Sequence, residues 1–204
     1  MVAAVCRGSG RAVVLEGDAG IGKTSLLRQV RSAAGRQNIQ VLSGGGEELE
    51  QRVPFAAVAH CLGVRDAADP DLAPLTRLLT KNLEEDAPAA LGRMEFVITE
   101  AVVALLERRC AQGQVALLID DLQWADAGTL LVVHRLCQAI QQLPLLVVVT
   151  RRPVPCGGIR QLADAPWTAP RHRCETGLTP ATLNGGCPKV YGSCLPVLPP
   201  RSAW

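Results

Sequence analysis

The chain has 204 residues, 48% of them hydrophobic and 20% charged, with a formal net charge of +2. That length suits one domain with an extension, and the composition is that of a folded globular protein rather than a disordered one. A charge so near neutrality gives no electrostatic argument for nucleic acid or an anionic membrane, because both require a concentrated basic face.

The start, MVAAVCRGSGR, lacks a basic leader followed by an apolar core of signal-peptide length. RAVVLEG at 11–17 is a short β-branched run that predicts a strand, and TSLLRQVRSAAG at 24–35 carries leucine and valine at helical spacing with glycine at its end. IQVLSG at 39–44 predicts a second strand. The loop GGEELEQRV follows, then helices over roughly 54–63, 70–81 and 89–111. VALLIDD at 115–121 is an apolar run stopped by two aspartates, a helix is expected over roughly 126–142, and PLLVVVTRR at 144–152 is another buried strand. The longest apolar run, LPLLVVV at 143–149, has the length of a strand and not of a bilayer span. The expectation is a cytoplasmic protein without a membrane segment.

Strands separated by helices favour parallel pairing, since parallel neighbours need crossover connections. The predicted fold class is therefore α/β: a mainly parallel sheet sandwiched between two helical layers, over residues 1–153. From about residue 153 the character changes. Nine of the fourteen prolines and four of the eight cysteines fall there, with only two acidic residues. Residues 154–204 are expected to be an irregular, poorly ordered tail, or a truncated or frame-shifted continuation, because few apolar clusters offset the entropy of ordering. The cysteines, at 6, 61, 110, 137, 156, 174, 187 and 194, contain no CxxC pair, so neither a disulfide framework nor a metal site is expected. Cys61, Cys110 and Cys137 lie in apolar helical patterns, where cysteine acts as a small buried hydrophobe.

Gly17, Gly20, Gly22, Lys23 and Thr24 carry the chemistry. GDAGIGKT at 17–24 matches G-x-x-x-x-G-K-[ST] and sits between a predicted strand and a predicted helix, the context that this phosphate-binding loop (Walker A) requires. Its backbone N–H groups can converge on phosphate oxygens only where side chains do not intrude, and the helix N-terminus beyond adds a favourable dipole. Gly17, Asp18, Ala19, Gly20, Ile21, Gly22, Lys23, Thr24 and Ser25 are the candidate nucleotide-binding residues. Lys23 would reach the terminal phosphates and the Thr24 hydroxyl would take a place on Mg²⁺.

Such a loop needs an acidic partner for the metal. Residues 115–121 read as the corresponding acidic strand (Walker B): Asp120, at its end, would be delivered to the same sheet edge and hold Mg²⁺ through water. Asp121 would polarise the attacking water. Thr150 and Arg151 end another buried run, where the arginine's planar fork suits a γ-phosphate sensor. Arg152 competes for that role. The candidate catalytic residues are thus Asp121, Lys23 and Arg151.

LEGDAGIGKTSLL, VLSGGGEELEQRVPFAAV, ALLIDDLQWADAGTLLVVHRL and LLVVVTRRP together resemble the AAA-type ATPase domain of large ATP-binding LuxR-family transcriptional regulators, a signal-transduction class of P-loop NTPases. The resemblance covers roughly residues 10–153, and DDLQWAD, Asp120 to Asp126, is its most specific part. It implies ATP as the nucleotide, and a sheet in which the strand ending at Thr150 lies between the glycine-loop strand and the Asp120 strand, placing Arg151 beside the γ-phosphate. It further implies a Mg-ATP switch module that works with other domains or subunits of a regulator; the alternatives are a non-catalytic nucleotide-binding module and an inactive fragment. No recognition-helix pair is legible, so this chain alone is not expected to bind DNA directly beyond a weak, salt-sensitive association.

Overall fold

The computed structural model describes residues 2–64, 69–84, 88–153 and 189–192. A short helix α1 (Val2–Cys6) leads into strand β1 (Arg11–Glu16), followed by α2 (Lys23–Arg36), β2 (Gln40–Gly45), α3 (Ala56–Leu62), α4 (Ala73–Glu84) and α5 (Pro88–Gln112). Then come β3 (Val115–Asp120), α6 (Ala127–Ala139), β4 (Leu145–Arg151) and β5 (Lys189–Gly192).

The sheet order is β2-β3-β4-β1-β5. β2, β3, β4 and β1 pair in parallel, and β4 lies between β1 and β3 as the resemblance implied. β5 pairs antiparallel with β1, Val13 opposite Gly192 and Glu16 opposite Lys189. That strand was not expected. KVYG is too short to show periodicity, although valine and tyrosine both favour extended structure. The other residues of the expected tail, 154–188 and 193–204, lie outside the described residues.

Alternation along the strands divides the interior in two. Ala12, Val14, Leu117, Ile119, Val147 and Val149 pack against helices α3, α5 and α6, including Val58, Leu105 and Leu136. Val13, Leu15, Ala116, Leu118, Leu146 and Val148 pack on the other side against Leu27, Val30 and Ala34 of α2 and Val5 of α1. Burial on both faces explains why β3 and β4 read as unbroken apolar runs, each fully buried valine or leucine contributing about 1.5–3 kcal/mol. Cys61 and Cys110 are buried within these layers and Cys137 is half-buried. Burial pushes the thiols of Cys61 and Cys137 up to about 12, and burial with the nearby Glu107 charge pushes that of Cys110 up to about 11. These three thiols are packing groups rather than nucleophiles. No helix among the described residues is long and apolar enough to cross a membrane.

Candidate nucleotide site

Four parallel strands deliver their C-terminal ends to one edge, where ligands of such sheets bind. The loop from Gly17 to Gly22 leaves β1 there and turns directly into α2. Two of its glycines adopt backbone conformations that other residues rarely take, Gly20 at φ +77° and Gly22 at φ +99°. Gly22 is the N-cap of α2 and supplies no side-chain cap, so the helix's first N–H groups are open to solvent or an anion. Lys23, only 6% exposed, turns its ammonium back onto the loop and donates to the carbonyls of Gly17 and Asp18, both at 2.8 Å. An ammonium has three donors, so this arrangement braces the loop and still offers a proton to an anion lying on it. Thr24 and Ser25 expose their side chains at the start of the same helix.

Strand parity places the remaining candidates. Asp120, the last residue of β3, and Thr150, the last but one of β4, fall on the α2 side, whereas Glu16 and Arg151 fall on the opposite side. The Thr150 hydroxyl, fully buried, donates to Asp120 Oδ1 at 2.5 Å and accepts from the Asp121 N–H at 2.8 Å. Asp120 Oδ1 also accepts from the Asp121 N–H at 3.2 Å. Asp121 sits in the left-handed region (φ 49°, ψ 51°), which swings it off the strand and into the short turn Leu122–Trp124. Its carboxylate accepts from Gln123 Nε2 at 2.8 Å, and Gln123 Oε1 in turn accepts from the Arg152 N–H at 3.0 Å.

Arg151 donates from Nε (2.8 Å) and Nη2 (2.7 Å) to Glu16 Oε2, its register partner on β1. The guanidinium is therefore engaged by the carboxylate of the residue that immediately precedes the Gly17–Gly22 loop. The Gly17 N–H donates to the Arg151 carbonyl at 3.3 Å, which ties the loop's first residue to the end of β4. For Arg152, the competing sensor candidate, it is the backbone that joins the network.

Sequence reasoning missed several supporting residues. Asp126 caps α6 by accepting from the Thr129 N–H (2.9 Å), accepts from the Thr129 hydroxyl (2.6 Å), and reaches across to the N–H of Phe55 (2.6 Å), which is held at φ 62°. Thr129 Oγ1 accepts from the Val58 N–H at 3.3 Å. The aspartate that closes DDLQWAD thus joins the first turn of α3 to that of α6, and Gly128 leaves room for the Phe55 ring. Gly46 donates to the Asp120 carbonyl at 3.0 Å, and a Cβ there would lie 2.7 Å from backbone atoms of Trp124 and Ala125. An aspartate six residues beyond the end of a buried strand and directly before a helix is a readable N-cap signal, but its partner on α3 is not encoded locally.

The donor set fits a magnesium-bound polyphosphate. Uncapped helix amides and a buried lysine suit phosphate oxygens, and a threonine hydroxyl with an aspartate carboxylate supplies the oxygen ligands that hard Mg²⁺ takes. A family model described as "AAA ATPase domain" matches residues 1–148. The chain belongs to that family, and membership implies nucleotide binding, usually with Mg²⁺. An uncharacterized protein of Rhizobium meliloti (strain 1021) is 29% identical over an alignment that takes in 73% of this chain and 17% of the relative. The chain thus spans well under two thirds of that relative's length.

Proposed function

We propose that this chain is a Mg-ATP-binding and ATP-hydrolysing switch module of a LuxR-family transcriptional regulator, working with other domains or subunits of that regulator. The observation that carries the nucleotide part is the buried Lys23 braced on the carbonyls of Gly17 and Asp18 beneath an uncapped helix. The regulator part rests on the resemblance carried by DDLQWAD and its flanking segments.

In this reading the amides of Gly20, Gly22, Lys23 and Thr24 bind phosphate oxygens, and the Lys23 ammonium neutralises the terminal phosphates. Thr24, and Asp120 through water, would hold Mg²⁺, which would supply neutralisation of phosphate charge. Thr150 keeps the Asp120 carboxylate oriented. Asp121 accepts the proton of the attacking water, a role worth about 10²–10⁴-fold in rate. Arg151 contributes positive charge toward the γ-phosphate once its pairing with Glu16 is shared or exchanged. Steady-state ATPase measurement with MgATP titration tests the enzymatic half, and loss of both signals in Lys23→Ala is the expected result. A mobility-shift titration at physiological salt tests the partner half: this chain alone is expected to give only weak, salt-sensitive association with DNA.

A further inference from the structure

Gln123 lies in the middle of DDLQWAD and has no task in the proposed function. Its carboxamide uses both ends: Nε2 donates to Asp121 Oδ1 at 2.8 Å and Oε1 accepts from the Arg152 N–H at 3.0 Å. Only one orientation of the amide satisfies both bonds, since the carboxylate can only accept and the peptide N–H can only donate. Asp121, for its part, occupies a left-handed backbone conformation that persists only where surrounding bonds over-determine it. Its N–H is held by Thr150 and its carboxylate by Gln123.

We infer that Gln123 is a positioning residue for the Asp121 carboxylate, fixing its rotamer and coupling it to the peptide that follows Arg151. The inference rests on the proposed reading of Asp121 as the water-activating base. A carboxylate on a half-buried turn is otherwise free to rotate, and proton acceptance requires it to stay within hydrogen-bond reach of one water. Because the same amide grips the end of β4, displacement of the Arg151 segment carries Asp121 with it.

Two substitutions in the 204-residue chain separate this role from a merely structural one. Gln123→Ala loses both bonds, whereas Gln123→Glu keeps an acceptor for the Arg152 N–H but sets a carboxylate against Asp121. Both variants are expected to lower kcat by about tenfold or more, the size of a lost hydrogen bond to a charged group, with KM and the MgATP Kd within about twofold of the parent. In an Asp121→Asn background, Gln123→Ala is expected to add no further loss, because residues acting as a unit are not additive. An activity-independent reading comes from the Gln123 side-chain amide resonances without nucleotide. One Nε2 proton should be displaced and slow to exchange, and should become ordinary in Asp121→Ala. Parental kcat in Gln123→Glu, or amide protons exchanging as in a free glutamine, overturns the positioning role. A parental rate in Asp121→Asn instead overturns the reading of the base, and the positioning role with it.

Discussion

The phosphate loop and the acidic turn after β3 share one sheet edge, yet they are held in shape by different means. Residues 17–22 are shaped chiefly by their own backbone, through two left-handed glycines and a lysine that bonds to carbonyls five and six positions away. Asp120 to Asp126 combine local bonds, from Gln123 to Asp121 and from Thr129 to Asp126, with partners far along the chain: Thr150, twenty-nine residues from Asp121, and Phe55, seventy-one from Asp126. A site half can therefore be local and carry its own signature, while the other half depends on the whole fold.

This contrast can be broken or sharpened by substitution. Among substitutions that leave nucleotide bound, the largest effect is expected at Asp121→Asn, which should leave MgATP affinity within about twofold and reduce turnover by about a hundredfold or more, since the amide keeps the shape and loses the proton acceptor. Asp126→Ala should cost about 3 kcal/mol in denaturant unfolding, because it removes a helix cap and leaves the buried N–H of Phe55 without its acceptor. Two glycines then distinguish the regions. Gly46→Ala should destabilise by about 2 kcal/mol, since its Cβ would press on the backbone of Trp124 and Ala125. Gly20→Ala meets no atom within 4 Å and should cost only about 1 kcal/mol, from its φ of +77°. Equal costs at the two positions would show that the loop is sterically crowded rather than conformationally demanding. The smallest effect is expected at Glu16→Gln, about 1 kcal/mol or less in stability, because its pair with Arg151 is partly solvated.

The same contrast explains what was legible in the sequence. The strand, glycine loop and helix from Arg11 to Arg36 were readable because every determinant lies within a few residues of its effect. β3 and β4 were readable as buried strands for a similar reason: their apolar runs are continuous. Asp120 and Asp121 could be named from their place after such a run. Thr150 reads only as the end of a strand until β4 is known to adjoin β3 with alternation turning its hydroxyl toward Asp120. The Glu16 pairing with Arg151 depends in the same way on the parallel register of β1 and β4. Gly44 read as the end of a strand, and Gly45 and Gly46 as the start of the loop GGEELEQRV. Gly44 and Gly46 are needed for space, where Cys61 and the Trp124–Ala125 backbone approach, and packing of that kind leaves no local mark.

The central claim is that the loop around Lys23 binds the phosphates of a magnesium nucleotide. Thermal melts of the parent and Lys23→Ala across a MgATP titration test it most directly, because a ligand of the native state raises Tm in proportion to the logarithm of its excess over Kd. The parent is expected to show a steadily rising Tm, and Lys23→Ala a cooperative melt that MgATP does not move. An equal nucleotide-dependent rise in both chains would contradict the claim.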